Sequence, residues 1–259
     1  MCLEVKEVVK SHLIPSALYQ FCATEGESPL RVADGVVIPT DRQTWSYLLC
    51  GECEGVLNGG GETWTIEKLA TLKNGFPLYE LLTKSPSESE GDSEGIFLTA
   101  SNPLIDVEKL THFAVGIFWK ASVASWRRGE KEPKIDLGPY SDALRRWLRG
   151  ETAFPRHICL TVTVSKPEGA FITLCLPAQT ECKDWPAYLL HVPGVLFVLS
   201  VGKRVPMEMR KTCFHESPDH FVFLSKQIDY QFHGRLGKQL IDSRKTKAYA
   251  RLMDKRAKA

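Results

Sequence analysis

The sequence lacks any long uninterrupted run of apolar residues, and it carries almost no net charge. A membrane-spanning helix needs about 18 or more consecutive apolar residues, so we expect no membrane span. The first residues, 1 to 7, are too charged for a secretory signal peptide, and we expect a cytoplasmic protein. With 33 basic and 31 acidic residues, the net charge of +2 points to no particular class of partner.

Few of the cysteines stand at the spacing typical of metal ligands, although the chain contains eight of them. Only Cys50 and Cys53 form a Cys-x-x-Cys pair, in which a tight turn presents two thiolates to one tetrahedral metal ion. Cys2 is the next candidate ligand because of its position ahead of His12. These residues predict a structural zinc site that is incomplete, since one such pair supplies half of the usual four ligands. The alternative is a chance pair of buried thiols.

Hydrophobic periodicity predicts an α+β fold. A helix with a wide apolar face is predicted from Asp106 to Trp126, and a shorter helix from Tyr140 to Leu148. After the second helix, the segments within residues 155–225 are rich in β-branched and aromatic residues. We therefore predict a mainly antiparallel sheet across residues 155–225, covered on one face by the long helix. The predicted strands are His157–Val164, Ala170–Leu176, Ala187–Val192, Val195–Val201 and Phe221–Leu224.

Composition divides the chain into three parts. Residues 85–95 are acidic and poor in apolar side chains, which predicts a solvated loop or a boundary. We therefore predict an N-terminal module over residues 1–84, an α+β region over residues 96–234, and a basic C-terminal helix or tail over residues 235–259. The glycines at 59–61 predict an interruption in the N-terminal module, with a helix that restarts near Glu62.

Two N-terminal segments together resemble HNH nucleases and treble-clef zinc fingers. They are Ser11-His12-Leu13-Ile14-Pro15 and Leu48-Leu49-Cys50-Gly51-Glu52-Cys53-Glu54, and they are most similar to uncharacterised bacterial proteins of that group. The apolar helix segment from Phe113 to Lys120 extends the resemblance to about residue 126. No family resemblance covers residues 127–259.

The resemblance implies a treble-clef module and two metal sites. Cys2, Cys50 and Cys53 correspond to ligands of a structural zinc, whereas Val5 stands where a fourth cysteine is expected. His12 corresponds to a general base that activates a water, and Glu54 to a ligand of catalytic Mg²⁺ or Mn²⁺. Ser11 stands where active nucleases usually carry a further metal ligand. Without the resemblance, His12 is explained as a structural histidine and Glu54 as an acid at a helix start.

Two hypotheses of function follow. The first is an HNH-like, metal-dependent nuclease that hydrolyses phosphodiester bonds in DNA. The second is an inactive treble-clef protein that binds nucleic acid or a protein partner. In either case, a basic C-terminal segment adds contacts with phosphates, although such segments are more often a solvated face or a disordered end. The basic residues predicted to bind nucleic acid are Lys238, Arg244, Lys245, Lys247 and Arg251.

Overall fold

A computed structural model describes residues 1–23, 28–33, 35–71, 73, 75–90, 94–124, 135–166 and 172–257. The helices are α1 (Ser16–Phe21), α2 (Gly51–Leu57), α3 (Thr63–Ile66), α4 (Pro77–Leu82), α5 (Val107–Val123), α6 (Tyr140–Leu148), α7 (Met207–Lys211), α8 (Gln227–Asp242) and α9 (Lys247–Ala257). The strands are β1 (Val9–His12), β2 (Leu30–Ala33), β3 (Val36–Pro39), β4 (Trp45–Leu49), β5 (Ser87–Glu90), β6 (Glu94–Leu98), β7 (Ile158–Val164), β8 (Cys175–Gln179), β9 (Ala187–Val192), β10 (Val195–Val201), β11 (Phe221–Ser225) and β12 (Arg244–Lys245).

The largest sheet of the described chain has seven strands in the order β5-β6-β11-β7-β10-β9-β8. All of its neighbouring strands are antiparallel except β7 and β11. A two-stranded sheet pairs β1 with β4, and a three-stranded sheet has the order β12-β3-β2. The predicted α+β class with a mainly antiparallel sheet is therefore confirmed.

Helix α5 packs against the large sheet, as predicted, and the rings of Phe113 and Phe197 lie 6.1 Å apart at this contact. Asp106 caps the helix by accepting a hydrogen bond from the backbone N–H of Lys109 at 3.0 Å. The described helix ends at Val123, three residues earlier than predicted, while Trp126 lies outside the described residues. One continuous hydrophobic core joins α5 to the sheet and to the N-terminal elements.

The division of the chain into three parts, over residues 1–84, 96–234 and 235–259, stays a prediction.

The glycines at 59–61 do not interrupt the helix, and this prediction is wrong. Residues 58–62 form a π-helical segment that continues α2 directly into α3. A Cβ added at Gly60 would lie 2.3 Å from the ring of His112, and one at Gly61 would lie 2.2 Å from the carbonyl oxygen of Lys109. The absence of side chains at these positions lets the helix pack directly against α5.

The acidic segment at 85–95, predicted as a solvated loop or a boundary, contains strand residues on both sides of residues 91–93, which lie outside the described part of the chain. Ser87–Glu90 forms an edge strand that pairs with β6, and β6 pairs in turn with β11. Phe97 on β6 is almost fully buried and ties this hairpin to the core. Charged residues are common on edge strands because they discourage pairing with other chains.

Two further predictions differ in detail. The strand predicted over residues 170–176 is observed at Cys175–Gln179, and residues 167–171 lie outside the described part of the chain. The basic C-terminal segment is organised as α8, β12 and α9. Strand β12 runs parallel to β3, and Thr246 Oγ1 donates a hydrogen bond to the carbonyl of Val37 at 3.1 Å. No helix among the described residues is long and apolar enough to cross a membrane.

Candidate metal centre and the hairpin beside it

The antiparallel strand pair β1–β4 and helix α2 position the candidate ligands. We call this pair the hairpin, although α1, β2 and β3 lie between its two strands in the chain. Strand β4 ends at Leu49, and Cys50 directly follows it as the N-cap of α2 with extended backbone angles. Cys53 lies in the first turn of this helix, so its sulfur and that of Cys50 are close together. Cys2 lies ahead of β1, on the chain segment that reaches back to the start of α2.

The three cysteines meet at one point. The sulfurs of Cys2 and Cys50 are 3.8 Å apart, and all three sulfurs lie within 4.8 Å of one another. Sulfurs that share one tetrahedral zinc at about 2.3 Å are separated by about 3.8 Å. Cys50 and Cys53 are buried, and Cys2 is partly exposed. Cys2, Cys50 and Cys53 therefore lie close enough to bind one metal ion, as the sequence predicted for this set.

The surroundings of the cluster favour the thiolate form at its exposed end. The backbone N–H of Glu4 donates a hydrogen bond to the sulfur of Cys2 and lowers the pKa of that thiol. Burial raises the pKa of Cys53, so its thiolate requires a compensating positive charge. The Arg149 guanidinium lies within electrostatic range of the sulfurs of Cys2 and Cys53, and a metal ion would supply further positive charge. Thiolates are soft ligands that suit zinc.

The described part of the chain supplies three ligands and no fourth. The three cysteines are the only group of three or more His, Cys, Asp or Glu side chains there that lie close enough to share one ion. Val5, which stands where the resemblance expects a fourth cysteine, is fully exposed. A tetrahedral ion bound here would therefore complete its coordination with water or another small ligand.

One face of the hairpin carries His12 together with aromatic and basic side chains. His12 is paired with Trp45, and Lys10 with Tyr47. Side chains of directly paired residues point to the same side of a sheet, and residues two apart share a face. We call the set Lys10, His12, Trp45 and Tyr47 the hairpin face.

The side chains of the hairpin face contact one another at the surface. The ammonium group of Lys10 lies 4.8 Å from the centre of the Trp45 ring. The rings of Trp45 and Tyr47 meet edge to face with centroids 5.6 Å apart. Tyr47 is 54% exposed, and His12 is half-buried. The face therefore presents rings and a positive charge to solvent.

Ser11 points to the other side of the hairpin. It is fully buried, and its Oγ accepts a hydrogen bond from the backbone N–H of Leu49 at 3.2 Å. At this position, where the resemblance expects a further metal ligand, Ser11 stabilises the hairpin from inside.

The charged neighbours of His12 differ from those predicted. Burial lowers the pKa of His12, the positive charges of Lys10 and Lys120 lower it further, and the negative charge of Glu62 opposes them. Glu54 has no described hydrogen bond or ion pair to His12, and its Oε1 is buried without a partner. Among the described residues, the acid whose charge acts on His12 is thus Glu62. The catalytic roles of His12 and Glu54 stay predictions.

Lys120 connects the hairpin to the π-helical segment that continues α2. Its ammonium group donates to the carbonyl of His12 at 2.9 Å and to Glu62 Oε1 at 3.0 Å. Lys120 is 1% exposed, so this is a buried ion pair. Local sequence patterns did not predict this ion pair. A lysine within the apolar segment Phe113–Ala121 was the available signal, since a buried lysine requires a partner.

The basic residues predicted to bind nucleic acid all lie at the surface. They belong to α8, β12 and α9, which adjoin the three-stranded sheet of the N-terminal region. Their exposure leaves them accessible to phosphates. The exposed residues are Lys238, Arg244, Lys245, Lys247 and Arg251.

Comparison with known proteins finds no matching family model, no matching curated protein and no matching solved structure. The resemblance to HNH nucleases and treble-clef zinc fingers therefore depends on the motif residues alone, and a function for the chain has to be argued from its own side chains.

Proposed function

We propose that this protein binds single-stranded DNA through the hairpin face, and that a zinc ion held by Cys2, Cys50 and Cys53 fixes the hairpin to helix α2. The observation that carries the proposal is the cross-strand arrangement of Lys10 and His12 opposite Tyr47 and Trp45. Exposed aromatic rings stack with unpaired bases, and each stacked base contributes about 1–3 kcal/mol. Lys10, on the same face, is placed to contact the phosphates.

Zinc has a structural role in this proposal. Cys2 precedes β1, and Cys50 follows β4, so an ion bound to both joins the chain segments on either side of the hairpin. Leu3 adopts a left-handed backbone with φ of 63° next to Cys2, which costs on the order of 1–3 kcal/mol for a residue other than glycine. Metal coordination by Cys2 offsets that cost and holds the turn in place.

The basic residues of α8, β12 and α9 add affinity that depends on salt. Lysines and arginines that contact phosphates release condensed counterions, so the affinity falls as salt concentration rises. We infer this role from the exposure of Lys238, Lys247 and Arg251. Replacing these three residues by glutamine flattens the dependence of affinity on salt in this proposal. The exposed lysines Lys84, Lys211 and Lys226 provide a charge-matched control.

The geometry supports binding better than metal-dependent cleavage. A catalytic divalent ion next to His12 needs acidic ligands, and the acid in range, Glu62, is already paired with the ammonium group of Lys120. A second positive charge at that position is repelled by Lys120. Ser11, at the position of a further ligand, is buried on the opposite side of the strand.

One observation favours the nuclease as a second candidate. His12 is half-buried with a lowered pKa, so its ring is neutral at physiological pH and can accept a proton from water. In that alternative Glu54 would hold Mg²⁺ or Mn²⁺, which stabilises negative charge on a phosphate. Glu54 Oε1 is buried without a described hydrogen-bond partner, and a bound cation would supply one.

One experiment separates the two candidates. The protein is titrated into labelled oligothymidylate and into a duplex of equal length, with fluorescence anisotropy as the readout, in buffers without divalent metal and with Mg²⁺ or Mn²⁺. The same samples are then run on denaturing gels. Tighter binding to the single strand with intact DNA supports the proposal. Metal-dependent fragments that disappear in His12→Ala support the nuclease instead, and an absence of binding to either DNA contradicts both.

A further inference from the structure

A cleft lies at one end of strands β8, β9 and β10, and its lining shares no residue with the hairpin face or the cysteine cluster. Its volume is about 440 Å³, within the range of small-molecule sites. The residues that matter for its chemistry are Tyr140, Lys183, Asp184, Trp185, Lys203 and Arg204. None of them belongs to the residues discussed above for metal or DNA.

The charge of the cleft wall is positive. Lys183, Lys203 and Arg204 are exposed cations, whereas Asp184 is the only acid among the lining residues. Within the described part of the chain, the side chains of these three cations form no hydrogen bond or ion pair. Three cations that line one concave surface without a described partner attract an anion.

The loop that carries Lys203 and Arg204 is held in a fixed conformation by Arg210. The guanidinium of Arg210 donates to the carbonyls of Gly202 at 3.1 Å, Lys203 at 3.2 Å and Val205 at 3.0 Å. The backbone N–H of Gly202 donates to the carbonyl of His157 at 2.8 Å, which ties the same loop to the start of β7. A loop fixed before binding loses little conformational entropy when a ligand arrives.

Two aromatic rings also line the cleft. Trp185 is half-buried, and its Nε1 donates to the Oγ of the buried Ser200 at 3.2 Å. This hydrogen bond orients the indole at the wall of the cleft. Tyr140, the first residue of α6, contributes a second ring. A cleft of this kind combines an anion site with a surface on which a planar ring can stack.

We propose that this cleft binds a mononucleotide. Lys183, Lys203 and Arg204 contact its phosphates, and the base lies against Trp185. Asp184 accepts a hydrogen bond from a sugar hydroxyl or an exocyclic amine, which accounts for an acid beside an anion site. A nucleotide is the ligand class that unites phosphates, hydroxyls and a planar ring in a volume of this size. The inference does not depend on the proposed binding of single-stranded DNA.

Isothermal titration calorimetry of the full chain tests this proposal with three probes: ADP, pyrophosphate and adenosine. We expect ADP to bind more tightly than either of the other two, since it uses both halves of the cleft. The double variant K203A/R204A should weaken ADP binding by roughly tenfold or more, because it removes charge-assisted hydrogen bonds. The charge-matched control K84A/K226A, at exposed positions outside the cleft, should bind ADP as the wild type does.

Two further variants locate the site. Trp185→Leu should weaken ADP binding while leaving pyrophosphate unchanged, and Tyr47→Ala on the hairpin face should change neither. ADP that binds no better than pyrophosphate would overturn the stacking role of Trp185. ADP binding that is equal in K203A/R204A and in the wild type, or no binding of ADP at millimolar concentration, would overturn the proposal as a whole.

Discussion

The ammonium group of Lys120 lies 3.0 Å from Glu62 Oε1 and 2.9 Å from the carbonyl oxygen of His12. Helix α5 is thereby joined through one side chain both to the hairpin and to the helix that begins at the cysteine cluster. The side chains of Lys120 and Glu62 are 2% and 13% exposed, so the pair has little access to water. The position of His12 depends on this buried contact.

Removing one partner of the pair should be strongly destabilising. Lys120→Met leaves the Glu62 carboxylate without its cation and the His12 carbonyl without its donor, and we expect a loss of about 3–5 kcal/mol in the free energy of unfolding. Urea denaturation followed by circular dichroism measures the change. The double variant Lys120→Met/Glu62→Leu should recover much of that loss, because an apolar pair often replaces a buried ion pair at little cost. Equal stability of Lys120→Met and the wild type would contradict this account.

The glycines of the π-helical segment offer a matched test of helix packing. Gly61→Ala places a Cβ against the Lys109 carbonyl, and we expect it to lower stability by about 1–3 kcal/mol. Gly59→Ala meets no atom within 4 Å and should be neutral or stabilising by up to about 1 kcal/mol. Thermal unfolding of the two variants measures the contrast. Equal shifts in the thermal unfolding midpoints of Gly61→Ala and Gly59→Ala would contradict the close packing of the π-helical segment against α5.

The sequence was informative where structure is decided locally. The bounds of α6, β9 and β10 match the predicted segments Tyr140–Leu148, Ala187–Val192 and Val195–Val201. The hydrophobic periodicity of these segments is set by residues that are close in the chain. The same holds for the Pro193-Gly194 turn, which connects β9 to β10. The meeting of Cys2 with Cys50 and Cys53 was also predicted, from the position of Cys2 ahead of His12 and from the resemblance to treble-clef zinc fingers.

Tertiary contacts decided the features that the sequence did not reveal. The glycine segment continues as a helix because α5 packs against it, and Ser87–Glu90 becomes a strand because β6 offers a free edge. The choice of Glu62, rather than Glu54, as the acid near His12 depends on Lys120, which is 108 residues away from His12 in the chain. Local patterns carry no information about such partners.

The cysteine cluster predicts a defined metal content. Elemental analysis after dialysis should find about one zinc per chain in the wild type, and much less in Cys2→Ser or Cys50→Ser, since each variant leaves two thiolate ligands. Cys22→Ser is the control, because burial raises the pKa of Cys22 to about 12 and it lies outside the cluster. Zinc retained equally by all four proteins, or absent from the wild type after expression with added zinc, would show that the cluster is not a metal site.

The environment of His12 predicts how its protonation changes. Its pKa is lowered by burial first and then by Lys10 and Lys120, so NMR titration should place it below about 6.5, the usual value for histidine. Lys10→Ala should raise this pKa, whereas Lys68→Ala should leave it unchanged. A folded pKa below the unfolded value means that the unfolded chain binds the proton more readily. The free energy of unfolding therefore decreases as the pH falls below about 6.5, where His12 of the unfolded chain becomes protonated. A titration midpoint above that value would contradict the described environment.

Tyr47→Ala is the decisive variant for the binding of single-stranded DNA by the hairpin face. Tyr47 is exposed, so its removal should leave the fold intact, and the loss of one stacked base predicts a weakening of about 1–3 kcal/mol, or roughly five- to 150-fold in the dissociation constant for oligothymidylate. Lys10→Ala should also weaken binding. The matched control is Lys68→Ala, which removes an ammonium group 5.8 Å from the centre of the Trp64 ring, outside the hairpin face. We expect wild-type affinity for oligothymidylate in Lys68→Ala and reduced affinity in Tyr47→Ala and Lys10→Ala, measured by anisotropy at one salt concentration. Affinity equal to the wild type in both Tyr47→Ala and Lys10→Ala would contradict it.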